Sequence, residues 1–202
     1  MDHIAAQTLA LIKDNPEWAL LIVGVTAFGE SFVFLSLLFP GTAILIASGA
    51  LVSDGILKPF PIIVAGIVGA VLGDTISFWL GERFGPAMQR VWPYRDHPER
   101  LARGVRFFER FGGSSVFIGR FFGPLRAVVP LVAGMMRMPR LRFYVANVLS
   151  ALVWAPTLVL LGDKLVQVLG PESLATKILY IVVVVAALAA FATWLRRRFL
   201  SS

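Results

Sequence analysis

Cysteine is absent from the 202 residues, which removes disulfides, thiolate zinc sites, iron–sulfur clusters and a cysteine nucleophile together. Charge is scarce: 15% of residues are Asp, Glu, Lys or Arg, against roughly a quarter in an average soluble domain. With 57% of the chain hydrophobic, too little polar surface remains to cover a solvated globule, and disorder is excluded on the same ground. The two histidines, His3 and His97, have no metal-ligand spacing and no neighbouring nucleophile, so they read as solvated surface groups. P-loop, dinucleotide, H-E-x-x-H and G-x-S-x-G motifs are missing, as are low-complexity segments. The apolar stretch 4–12 has no basic flank before it and contains Gln7 and Thr8, so it does not read as a cleavable signal.

What the chain has is apolar runs. Residues 18–39 carry one ionisable group, Glu30, and after Pro40-Gly41 a second run covers 42–52. Residues 61–80 carry only Asp74, residues 114–136 only Arg120 and Arg126, and residues 143–162 and 178–195 none. Runs of about 20 match a hydrocarbon core of ~30 Å at 1.5 Å per residue, and predict an all-α polytopic membrane protein.

The charges lie between the runs. Residues 82–113 hold seven arginines against four acids, residues 137–142 three arginines and no acid, and Arg196, Arg197 and Arg198 close the chain. The positive-inside rule places these pieces in the cytoplasm rather than on nucleic acid. The first two flank 114–136, so that run enters the membrane and returns as a re-entrant hairpin, broken by Gly119, Gly123, Pro124 and Pro130. The stretch around Pro40-Gly41 has the same pattern, with Ala43-Ile44-Leu45-Ile46-Ala47-Ser48-Gly49 set against Val128-Val129-Pro130-Leu131-Val132-Ala133-Gly134. Each hairpin follows a polar-apolar stretch (3–14; 98–111) and precedes a full span (61–80; 143–162) of opposite direction. The expected architecture is an inverted repeat of re-entrant hairpin plus transmembrane helix. Residues 1–202 form one membrane domain: a first half over 1–81, a basic amphipathic cytoplasmic segment over 82–113, a second half over 114–162, and an additional C-terminal span over 175–195.

Ionisable residues inside such runs are costly and are functional candidates by default, although an ion pair holding the hairpins together is open to the same residues. Arg120 and Arg126 are the expected substrate-binding pair, with backbone N–H groups freed around Gly123 and Pro124. Guanidinium forks that stay charged in a partly dry site suit a phosphorylated lipid headgroup. Glu30 and Asp74 are the expected proton-coupling groups, because a desolvated carboxyl takes a proton readily. Glu30 lies about 18 Å deeper than the interfacial Trp18, near the middle of the core, with Arg120 or Arg126 as its cation. Asn147, Ser150 and Trp154 share one face of the second span and either line the site or pack helices. No metal or cofactor site is expected.

The strings Phe28-Gly29-Glu30-Ser31, Pro40-Gly41-Thr42, Gly73-Asp74 and Gly119-Arg120-Phe121-Phe122-Gly123-Pro124-Leu125-Arg126, continued by Val129-Pro130-Leu131-Val132-Ala133-Gly134 and Asn147, resemble the bacterial DedA family, with its SNARE-associated or VTT domain. The similarity runs over about residues 18–162. The resemblance implies a plasma-membrane lipid transporter with re-entrant hairpins and no enzymatic activity. Its implied cargo is a phosphate-bearing lipid, undecaprenyl phosphate first, with proton coupling. Energy-independent phospholipid scrambling is the alternative, followed by a membrane-bound lipid phosphatase or transferase, or an ion or drug exchanger. The family's membrane acid matches Glu30 and its arginines match Arg120 and Arg126. Many members carry an acid directly after Pro-Gly where this chain has Thr42, so a second carboxylate would have to come from Asp74.

Overall fold

A computed structural model describes residues 15–36, 38–85, 87, 95 and 98–169. The expected C-terminal span, the polar-apolar start and both histidines lie outside these residues. The described residues are helical, without strands: α1 (Pro16–Ser31), α2 (Gly41–Ser53), α3 (Pro59–Phe84), α4 (Pro98–Phe111), α5 (Ser115–Gly119), α6 (Val128–Met135) and α7 (Arg140–Leu169), with short 3₁₀ turns over Gly112–Ser114 and Gly123–Leu125. Proline opens α1 and α3, where its missing N–H would be unpaired anyway. Pro130 falls in the first turn of α6 for the same reason. The break in the second hairpin therefore lies before it, between Gly119 and Val128.

Two helices, α3 and α7, are long and apolar enough to cross a membrane; α2 is apolar but shorter. Their outward faces are apolar, with Val64, Val68, Leu72 and Ile76 exposed on α3 and Val145, Val148, Leu149 and Leu152 on α7. Serines, glycines and the buried charges lie inward, which is the distribution expected when lipid replaces water as the outer solvent.

Pairwise contacts fix the directions. Arg140 meets Glu82, Phe143 stacks on Phe78 at 4.0 Å between ring centroids, and Asn147 bonds Val71 and Thr75. Hence α7 runs antiparallel to α3. Gly24 lies against Gly69, Phe28 against Gly73 and Val33 bonds Ser77, so α1 runs parallel to α3. Helices α2 and α6 each cross one of the two long helices. On α2, a Cβ at Gly49 would come 2.1 Å from Val159 O of α7, and one at Gly162 would come 2.0 Å from Ile46 O of α2. On α6, a Cβ at Gly134 would come 2.0 Å from Phe78 O of α3, and one at Gly81 would come 2.0 Å from Leu131 O of α6. Backbone approach of this kind requires glycine on both surfaces.

The ends of the second hairpin lie together. Val116 near the start of α5 and Met138 after α6 share one apolar cluster with Phe143. The amphipathic α4 buries Leu101 and Gly104 against Val128 and Val132 and exposes Arg106 and Arg110. After α6 the chain turns through Arg137, whose φ is 53°.

Candidate functional site: two buried ion pairs between the hairpins

The four ionisable residues of the apolar runs meet inside the helix bundle as two pairs. Arg126 lies 2.8 Å from Glu30 Oε1, the two side chains being 7% and 13% exposed. Arg120 pairs with Asp74 at 2% and 5% exposure. Either arginine is open to Glu30 from the sequence. The geometry assigns Glu30 to Arg126 and gives Arg120 to Asp74.

Local structure explains each position. Glu30 lies in the last turn of α1, held beside α3 by the close approach of Gly24 and Gly69. The chain turns back through 32–40, and α2 starts at Gly41 directly beneath Glu30. A Cβ at Gly41 would lie 2.5 Å from Glu30 Oε2 and 2.8 Å from Thr26 O, so glycine here makes the space that the carboxylate occupies. Thr42, the next residue, donates to Glu30 Oε1 at 2.5 Å and accepts from Arg126 Nη1 at 3.1 Å. Ser31 Oγ accepts from Arg126 Nη2 at 3.2 Å. Among the described residues, every hydrogen-bonded partner of the Arg126 side chain thus comes from α1 or α2.

Arg120 draws its partners from α3 and α7 instead. Nε donates to Ser150 Oγ at 2.8 Å, and Nη2 donates to Asn147 Oδ1 at 2.5 Å and to Asp74. Asn147 is oriented by its own amide, whose Nδ2 donates to Val71 O at 3.2 Å, so its oxygen must face the arginine. Trp154 lies beneath both cations, its ring centroid 4.4 Å from Arg126 Cζ and 5.9 Å from Arg120 Cζ. Asn147, Ser150 and Trp154 therefore do share the site, as their common helix face allowed.

Glu30 Oε2 and Arg120 Nη1 are buried without a hydrogen-bond partner among the described residues. The cluster therefore holds spare acceptor and donor capacity, of opposite sign, in a desolvated place. Gly123 stands exposed on the hairpin tip, where its carbonyl accepts from the Arg126 N–H at 3.3 Å. Phe121 and Phe122 flank it, also exposed, and Phe122 reaches Phe107 of α4. Thr42 and Ser31 were quoted in the family strings without a role. Their hydroxyls became legible only when the turn at 32–40 brought them to Arg126. No group of three or more His, Asp or Glu suited to a metal occurs among the described residues.

Comparison with known proteins places this architecture. The family model described as the VTT domain matches residues 39–164, which include Thr42, Asp74, both arginines and Trp154 and begin nine residues after Glu30. The inner membrane protein YabI of Escherichia coli K12 is 35% identical over 145 residues, 72% of this chain and 57% of that protein. A protein of Mycobacterium tuberculosis named only as a membrane protein is 36% identical over 153 residues, 72% of this chain and 69% of the relative. A similarly named Synechocystis protein is 33% identical over 153 residues, 75% and 70% of the two chains. The chain spans less than three fifths of the first curated relatives it matches, at 57% for YabI and 58% for a Buchnera membrane protein. No solved structure matches the chain significantly. A VTT-domain match over residues 39–164 together with these similarities makes the chain a membrane protein of the DedA family.

Proposed function

We propose that the protein moves a phosphate-bearing lipid, undecaprenyl phosphate in the first instance, across the bacterial plasma membrane without chemical change, with proton movement coupled through Glu30. The observation that carries this reading is the mode of the Arg126–Glu30 pair. Only Oε1 of the carboxylate engages the guanidinium, while the two Nη atoms face separate acceptors, Glu30 with Thr42 on one side and Ser31 on the other. A guanidinium fork is built for two parallel bonds to one anion. A phosphoryl group with two oxygens would replace both sets of contacts at once and hold the fork better than its resting partners do.

On this reading Arg126 is the exchangeable cation. Glu30, stripped of its partner in a dry site, takes a proton, and Thr42 can then accept from the protonated carboxyl instead of donating to it. Lipid binding and protonation thereby favour each other. Asp74 keeps Arg120 charged and fixed, leaving Nη1 to meet the headgroup. The reciprocal glycine crossings and the antiparallel long helices support two inverted halves, and the shared end of α5 and α6 supports a re-entrant second hairpin. The exposed Phe121 and Phe122 would then face acyl chains as the headgroup enters.

Purified protein in liposomes carrying fluorescent undecaprenyl phosphate or fluorescent phospholipid tests the reading. Crossing of the phosphate-terminated lipid, intact and faster than in empty vesicles, is the expected result. Equal movement of zwitterionic phospholipid without a pH gradient would identify a scramblase, and release of inorganic phosphate would identify an enzyme.

A further inference from the structure

Trp154 is the partner of Arg126 that does not come from the first hairpin. A guanidinium is planar, with all five N–H bonds in its plane. Arg126 donates hydrogen bonds to Thr42 and Ser31 and forms an ion pair with Glu30, while its Cζ lies over the indole ring, 4.4 Å from the centroid. The ring is itself immobile, 4% exposed and packed in the cluster that holds Ala27, Leu45 and Ala155. If a phosphoryl group displaces Glu30, Thr42 and Ser31, Arg126 loses its ties to α1 and α2 and, among the described residues, keeps the ring contact from α7. Asp74, the partner of Arg120, is a second carboxylate in the same cluster and a competing partner for an arginine without fixed ties. The same ring spaces Arg126 from Arg120, whose Cζ is 5.9 Å from its centroid.

We propose that Trp154 is a positioning residue for anion exchange: its indole face holds the Arg126 guanidinium in place, so that the fork keeps its aim while a phosphoryl group replaces Glu30, Thr42 and Ser31. The proposal rests on the phosphate-lipid reading above and assigns it a part that hydrogen bonding does not supply. A stacked cation in a desolvated site gains enough from the ring face for its loss to be measurable as a change in affinity.

The test uses the full chain in dodecyl maltoside micelles. Replacing Trp18, Trp79, Trp92 and Trp194 by Phe leaves Trp154 as the sole tryptophan, and its emission is followed during titration with dodecyl phosphate, dodecanol or inorganic phosphate. A saturable change with dodecyl phosphate and none with dodecanol is expected; no change with dodecyl phosphate overturns the proposal. An equal response to inorganic phosphate supports the role of Trp154 and makes the free ion the ligand. Calorimetric affinity for dodecyl phosphate is then compared in the wild type, Trp154→Phe, Trp154→Leu and Arg126→Gln. The Phe variant should bind within about threefold of wild type and the Leu variant at least about tenfold more weakly. Wild-type affinity in Trp154→Leu overturns the proposal while loss of binding in Arg126→Gln leaves the phosphate reading standing. Retained binding in Arg126→Gln overturns that reading itself. Should the Leu variant fail to fold, the emission titration decides alone.

Discussion

Arg120 and Arg126 carry the same charge at similar burial, yet their neighbours give them different work. Arg120 is tied to Asp74, Asn147 and Ser150 on the two long helices, so its bonds hold the halves together whatever the hairpins do. Arg126 is tied to Glu30, Thr42 and Ser31, so its contacts hold one hairpin to the other, and on the proposed reading they are the ones an anion displaces. Two substitutions separate these roles. Arg126→Lys keeps the charge but not the fork, and should lose most phosphate-lipid transport at normal expression and melting temperature. Asp74→Asn leaves Arg120 buried and unpaired, a change that costs about 3–5 kcal/mol in comparable buried pairs, and should reduce the yield of folded protein. Thermal melting alongside liposome transport distinguishes the two. Glu30→Gln mimics the protonated acid, so it should still bind dodecyl phosphate while transport loses its response to a pH gradient. A wild-type pH response in that variant would move the coupling group to Asp74.

At the scale of elements, the crossings of α2 with α7 and of α6 with α3 govern how close the two halves come. A methyl group at Gly49, Gly81, Gly134 or Gly162 would meet backbone carbonyl oxygen at 2.0–2.1 Å, and a helix must shift to admit it. Overpacking of this sort costs typically 1–3 kcal/mol. Gly134→Ala and Gly49→Ala should each lower the melting temperature and pull the ion pairs apart, whereas Gly113→Ala, whose Cβ would meet only Met138 Cε at 3.6 Å, should be tolerated. These elements were legible in the sequence because apolar runs and proline breaks are local signals. Residues 61–80 and 143–162 fall within α3 and α7, and the motif from Gly119 to Gly134 forms the broken hairpin. The pairing of arginines with acids was not legible, because it depends on which helix meets which. Pro40-Gly41 announces a break, but not that the turn before it lays Thr42 on Glu30. The leg 18–39 read as one continuous run, but it ends as helix at Ser31, where the chain must turn to give Gly41 its place. Trp154 shares a helix face with Asn147 and Ser150, which left lining the site and packing both open, and its place over the two cations depends on which helices meet.

For the whole molecule, the proposed topology fixes which ends face the cytoplasm. The sequence has no cysteine, so single cysteines at Arg110 and Arg137, both exposed, give an unambiguous readout: each should be labelled by a membrane-impermeant maleimide only from the cytoplasmic side. Labelling from opposite sides would turn the second hairpin into a span and remove the inverted repeat. The buried cluster also has an electrical consequence. Glu30 and Asp74 balance Arg120 and Arg126, so the resting site is neutral. A headgroup carrying one negative charge that enters together with one proton leaves it neutral, and the membrane potential then does no work on the loaded carrier. The same headgroup entering alone would carry a full charge through the field, worth about 2.3 kcal/mol per 100 mV. Imposing a potassium diffusion potential on proteoliposomes at about pH 5.5, where a phosphate monoester is chiefly the monoanion, should therefore leave transport by the wild type unchanged, while Glu30→Gln, which cannot release a proton, should become voltage-sensitive.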